Sequence, residues 1–88
     1  MLRVAVTFHG EPYWLNVSAC RRALVGRRAA RDVRSIGDVA AKAGVSRSTA
    51  SRLLNGQRGG WTIETVTAVL QVLQLRFEDV VTPRAESE

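Results

Sequence analysis

The stretch that most limits how this chain can fold lies at residues 35–56 and reads SIGDVAAKAGVSRSTASRLLNG. It contains two short segments with apolar residues at helical spacing, separated by Gly44, and Ser35 and Ser46 stand directly before them. Serine is a favoured N-cap residue, and glycine readily adopts the left-handed conformation that ends many helices. The stretch therefore predicts two short helices joined by a tight turn.

Each of these predicted helices has one apolar and one polar face. The inward positions are Ile36, Val39, Ala40 and Ala43 in the first helix, and Thr49 or Ala50, Leu53 and Leu54 in the second. Asp38, three residues after Ser35, matches a short form of the capping box. Asn55 and Gly56 are expected to end the second helix. Two helices joined by a short turn containing glycine define the helix-turn-helix motif, whose second helix enters the major groove of DNA.

The chain before this motif has the pattern of a β-hairpin. Residues 2–8 alternate apolar and polar, the run YWLNV has a similar extended character, and residues 9–12 are expected to form the turn. A two-stranded hairpin is not stable alone and must pack against something. Two alternatives are open: the hairpin covers the helical core, or its free edge pairs with a second copy.

Three further helices are expected. Ser18 can cap a first helix in which Cys20, Ala23 and Leu24 face inward, together with the stem of Arg27. Thr62 can cap a helix whose apolar face comprises Val66, Val69, Leu70 and Leu73. Trp61 and Val66 have the spacing of a hydrophobic staple. Residues 77–81 are expected to form a short last helix.

The expected architecture is mainly α: a compact helical domain of four to five helices preceded by the hairpin. We assign residues 1–17 to the hairpin, residues 18–82 to the helix-turn-helix domain with the motif at residues 35–55, and residues 83–88 to a disordered tail. With 88 residues the chain is near the lower size limit of a self-sufficient core.

Composition excludes several classes of function. The single cysteine excludes an internal disulfide, no Cys/His spacing resembles a metal site, and no paired carboxylates or nucleophile triad suggest an enzyme or a cofactor. No apolar run is long enough to span a bilayer, and the start is too short and strand-like for a signal peptide, so we expect a cytoplasmic protein. Residues 18–58 carry ten basic and two acidic side chains, which indicates a polyanionic partner such as nucleic acid.

The motif IGDVAAKAGVSRSTASRLLNG closely resembles the helix-turn-helix of the lactose-repressor family. The continuation NGQRGGWTIETVTAVLQVLQLRFEDVV resembles instead the phage-repressor group of lambda repressor, Cro and Xre-type regulators. A lactose-repressor protein would also need a hinge and a large sugar-binding domain, for which this chain leaves no room. The resemblance therefore implies a small phage, prophage or bacterial repressor with a lambda-repressor-like domain.

The resemblance also implies roles for individual residues. Arg52 matches the arginine that can read guanine O6 and N7 with two hydrogen bonds. The residues expected to contact bases are Arg47, Ser48, Ser51, Arg52 and Asn55. The residues expected to contact phosphates are Ser35, Ile36, Gly37, Ser46, Thr49, Arg58, Gly59, Gly60, Arg21 and Arg22.

The expected partner is double-stranded DNA with a pseudo-palindromic operator, bound by a homodimer that uses the hairpin or the apolar end of the last two helices. No membrane and no small-molecule ligand are expected as partners. Two alternatives are an antitoxin or excision-directing factor with the same fold, and a protein-interaction module that does not bind DNA.

Overall fold

The computed structural model describes residues 2–57 and 61–84. In chain order the elements are β1 (Arg3–Phe8), β2 (Glu11–Asn16), α1 (Val17–Ala29), α2 (Ile36–Ala43), α3 (Arg47–Leu54), α4 (Ile63–Val72), α5 (Phe77–Val80) and β3 (Val81–Pro83). The expected fold class, a small helical domain preceded by an antiparallel hairpin, is confirmed. None of the helices in these two ranges combines the length and apolar character that a membrane crossing requires.

The hairpin turns over two residues, not four. His9 and Gly10 have φ values of 52° and 79°, as in a type I′ turn, whose twist matches that of the flanking strands. Pro12 was expected in the turn but lies within β2, opposite Thr7. The predicted turn over residues 9–12 was therefore too long.

A third strand completes the sheet, in the order β1-β2-β3. Val81 has extended φ and ψ values of −115° and 117°, so the last helix ends at Val80 and not at Val81 as predicted. β3 pairs antiparallel with β2, joining Leu15 to Val81 and Tyr13 to Pro83. Pro83, which was predicted to begin a disordered tail, thus belongs to a strand. The rest of that predicted tail, residues 85–88, lies outside the described residues.

The first helix begins two residues earlier than predicted and uses a different cap. Asn16 is the N-cap of α1, because its side-chain oxygen accepts a hydrogen bond from the Ala19 N–H at 3.0 Å. β2 leads directly into α1, so the last extended residue, Asn16, occupies the capping position. Ser18, the predicted cap, instead binds the start of the chain: its Oγ accepts from the Leu2 N–H at 2.7 Å, and its N–H donates to the Leu2 carbonyl.

The strands and the helices share one apolar core. Val4, Val6, Phe8 and Leu15 from the hairpin are buried together with residues of the helices. The hairpin therefore packs on the helical core, and pairing of its free edge with a second copy stays a prediction. Among the helices, the buried side chains are Val17, Cys20, Val39, Ala40, Ala50, Leu53, Leu54, Val66, Val69, Leu70 and Val80. Thr62 caps α4 as predicted, and its predicted apolar face is buried.

Candidate nucleic-acid interface

The turn between α2 and α3 is built from local hydrogen bonds. Ser35 caps α2 by accepting from the Asp38 N–H, and Ser46 caps α3 by accepting from the Thr49 N–H at 3.0 Å. Gly44 lies in the left-handed region at φ 72°, where its N–H and that of Val45 bond to carbonyls of the last turn of α2. The predicted boundaries of both helices are confirmed.

The carboxylate of Asp38 does not complete the expected capping box. Its Oδ2 accepts from the N–H of Arg34 at 2.9 Å, one residue before the position that the capping box requires. The same oxygen lies 3.8 Å from Lys42 Nζ, one helical turn further along α2. Asp38 therefore ties the connection before α2 to the helix and neutralises a lysine.

α3 is anchored by its apolar face. Ala50, Leu53 and Leu54 are at most 1 % exposed, and Ala40 of α2 is buried where a small side chain permits close packing. Of the two residues proposed for one inward position, Ala50 is the buried one. Thr49 is half-buried, and its Oγ1 accepts from the Ser46 hydroxyl at 2.8 Å.

The opposite face of α3 brings the five predicted base-contacting residues together. Arg47, Ser48, Arg52 and Asn55 are exposed, and Ser51 is half-buried. Within this face the Arg52 Nε donates to the Ser48 carbonyl at 3.4 Å, and the Asn55 amide donates to Ser51 Oγ at 3.3 Å. The face is therefore polar and rich in hydrogen-bond donors.

The start of α2 lies beside the start of α3. A Cβ placed on Gly37 would come within 3.7 Å of Arg47 Cδ and Nε and 3.6 Å of Ser35 Oγ. Gly37, Ser35 and Arg47 therefore form one corner of the surface. Ile36 packs against the core, so only its backbone can serve a phosphate at this corner.

α1 reaches the other end of α3. Arg21 Nη2 donates to the Asn55 side-chain oxygen at 3.3 Å, which brings Arg21 to the C-terminal end of α3. Arg22 is exposed on the same helix. The remaining predicted phosphate contacts, Arg58, Gly59 and Gly60, lie outside the described residues.

The part of this surface formed by α2 and α3 lies in a segment that matches a protein-family model. Residues 35–75 match the model of a family described as bacterial regulatory proteins, lacI family. Residues 35–75 are therefore similar to the helix-turn-helix region of bacterial DNA-binding regulators. The match spans α2, α3 and α4, and it gives no support to the phage-repressor assignment. The searches of curated proteins and of solved structures returned no match.

Three arginines of the surface formed by α1 and α3 have no ion-pair partner among the described residues. Between the starts of α1 and α4, the ion pairs of the described residues are Arg27 with Asp32, at 2.7 Å, and Lys42 with Asp38. Arg21, Arg47 and Arg52 thus have no carboxylate within salt-bridge distance in the part of the chain that the structure describes. Their charge stays available to a ligand.

Trp61 contacts the outer face of α3 in a way that sequence reasoning missed. The Arg52 guanidinium carbon lies 5.8 Å from the centroid of the Trp61 ring, within the range of a cation–π contact. Trp61 is 8 % exposed and belongs to the same core as Val66, in agreement with its predicted structural role. Its indole nitrogen is buried and has no hydrogen-bond partner within residues 2–57 and 61–84. The only signal in the sequence was an aromatic residue shortly after the second helix of the motif.

Proposed function

We propose that this protein is a sequence-specific regulator of transcription that inserts α3, its recognition helix, into the major groove of an operator. The observation that carries the proposal is the outer face of α3, where Arg47 and Arg52 have no carboxylate partner within residues 2–57 and 61–84 and stand on a helix capped by Ser46. Occupying an operator would exclude polymerase or another factor, and no chemical step is required.

Arg52 is the main candidate for sequence discrimination. Its Nε is engaged by its own helix, while the two terminal nitrogens can pair with guanine O6 and N7. Ser48 and Ser51 are short enough to let the backbone approach the base edges. Arg47 and Asn55 extend the same face at its two ends.

Phosphate contacts would flank this face on both sides. The first turn of α2, from Ser35 to Gly37, presents free backbone N–H groups at the corner beside Arg47. Ser46 and Thr49 lie at the start of α3, and Arg21 and Arg22 lie near its end. These contacts would supply a salt-dependent affinity that is largely independent of sequence.

A second copy of the chain would double the interface and match a pseudo-palindromic operator. β3 occupies one edge of β2, so in the described sheet β1 is the free long edge. The end formed by α4 and α5 is less suited, because Phe77 packs 6.0 Å from Phe8 within the fold. The large hydrophobic residues exposed in the described chain, Leu2 and Val25, lie elsewhere. We therefore place the proposed dimer contact at β1.

Selection of bound sequences from a random pool of duplex DNA tests the proposal. We expect an enriched palindromic consensus containing a guanine, and Arg52→Ala should weaken binding to it by about 1–3 kcal/mol. Arg76→Ala is the matched control, since it removes the same charge from α5, where Arg76 is paired with Glu78. Equal effects of the two variants, or no enrichment, would contradict the proposal and favour a protein-interaction module.

A further inference from the structure

We infer that Trp61 is a positioning residue for Arg52, and that its ring holds the guanidinium in place before DNA arrives. The inference rests on the proposed function, because it concerns the residue that would read the operator. Its starting point is the contact between the exposed Arg52 and the nearly buried Trp61 ring, at 5.8 Å. Trp61 itself need not touch DNA.

Both partners of this contact are attached to rigid parts of the fold. Trp61 stands directly before Thr62, whose side chain caps α4 by accepting from the Thr65 N–H at 3.1 Å. Arg52 is followed on α3 by Leu53 and Leu54, both buried in the core that also contains Trp61. The ring therefore cannot swing away from the arginine without disturbing the core.

The contact leaves free those donors that a guanine needs. The π face of Trp61 attracts the guanidinium without using an N–H, and the Ser48 carbonyl takes the Nε hydrogen. The two terminal nitrogens, which together can form a two-point contact with O6 and N7, have no hydrogen-bond partner in the described parts of the chain. Arg76 shows the opposite arrangement, because its Nε and Nη2 both donate to the Glu78 carboxylate, at 3.0 and 2.6 Å.

Restraining the Arg52 side chain before binding should affect the affinity for the operator more than the affinity for other DNA. A long side chain loses conformational freedom when it is fixed on a base, and a contact that restricts it beforehand reduces that loss. Non-specific DNA does not require Arg52 at one defined position. The Trp61 ring should therefore raise affinity for the operator and leave affinity for other duplexes nearly unchanged.

A double-mutant cycle tests this role. Trp61→Leu and Trp61→Phe are measured with Arg52 present and in the Arg52→Ala background, on the selected operator and on a scrambled duplex. With Arg52 present, Trp61→Leu should weaken operator binding about three- to tenfold and binding to the scrambled duplex less than twofold. Trp61→Phe, which keeps an aromatic face, should lose about two- to threefold. In the Arg52→Ala background, neither substitution should change operator binding by more than about twofold.

Val69→Ala, a substitution of another buried residue of α4, controls for loss of stability, and circular dichroism gives the folded fraction of each variant. If Trp61→Leu does not fold, Trp61→Phe carries the comparison. Equal losses on both duplexes, or a loss that persists without Arg52, would overturn the positioning role while leaving DNA binding intact. If Arg52→Ala alone leaves operator binding unchanged, the proposed function fails as well.

Discussion

The sheet and the helix-turn-helix pack on one core but are held together over very different distances along the chain. In the helix-turn-helix, the caps join residues three apart, Ser35 with Asp38 and Ser46 with Thr49, and the turn at Gly44 closes on the helix before it. In the sheet, β2 pairs with β3 at the opposite end of the chain, and Tyr13 meets Pro83. The geometry of the proposed recognition face is therefore specified locally, whereas the three-stranded sheet is complete only when both ends of the chain meet.

The largest expected effect is a loss of stability caused by a substitution in the sheet. Leu15 is fully buried in β2, between both neighbouring strands. Leu15→Ala should lower the free energy of unfolding by about 2–5 kcal/mol, through lost burial and the cavity it leaves. Urea denaturation measures this loss. The protein that remains folded should select the same operator as the wild type, and an altered consensus would show that the sheet shapes the recognition face directly.

Cys20 on α1 tests whether the two regions unfold together. Burial raises the pKa of its thiol from 9.0 to about 11, so the folded protein keeps a proton that the unfolded chain releases. The contribution of this thiol to the free energy of unfolding is therefore complete below pH 9. It falls by about 2 kcal/mol as the pH rises toward 11.

Urea unfolding of the wild type and of Cys20→Ala, each below pH 9 and near pH 11, isolates this effect. The other titrating groups are the same in the two proteins. Variants with only Trp14 or only Trp61 report on the sheet and on the helix-turn-helix by fluorescence. We expect the two signals to shift together with pH. A shift of the Trp61 signal alone would show that the helices unfold without the sheet.

The smallest expected effect is the loss of stability on replacing Trp14, which we compare with the replacement of Trp61. Trp14 lies on β2 with the guanidinium of Arg3 at 4.3 Å and that of Arg84 at 5.2 Å from its ring, so it links β2 to β1 and to the residue that follows β3. Trp14→Ala should destabilise the fold by roughly 1–2 kcal/mol, from two partly exposed cation–π contacts and lost packing. Trp14→Phe should recover part of this stability.

Neither change at Trp14 should alter the preference of the folded protein for operator over scrambled DNA. The same class of contact would thus have two functions, depending on whether its arginine lies on the proposed recognition face. At Trp14 it would stabilise the sheet, and at Trp61 it would prepare an arginine for a ligand. A loss of preference in Trp14→Ala would contradict this distinction.

The local half of the molecule was largely predictable from the sequence. Ser35, Gly44, Ser46 and Thr62 act through neighbours within one helical turn, so their residue types identify them without knowledge of the fold. The outer face of α3 followed from the same reasoning, because helical periodicity separates buried from exposed positions.

What the sequence did not reveal depends on distant contacts. A three-residue strand such as Val81–Pro83 has no periodicity of its own and forms only because β2 is present. Asn16 replaces Ser18 as a cap because β2 continues directly into α1, which is a property of the whole chain path. The contact between Arg52 and Trp61 joins two helices' ends across a loop, and no local rule predicts it.

Because β2 continues directly into α1, a dimer formed through the sheet would accept only one spacing of the operator half-sites. No loop separates the sheet from α1, and Arg21 connects that helix to Asn55 at the end of α3. In a dimer paired through β1, the two α3 helices would therefore lie at a fixed distance and angle from each other. Inserting one base pair between the half-sites turns one against the other by ~35°. Because no loop lies between β2 and α1 to absorb that rotation, the dimer would be as selective for the spacing of the half-sites as for their bases.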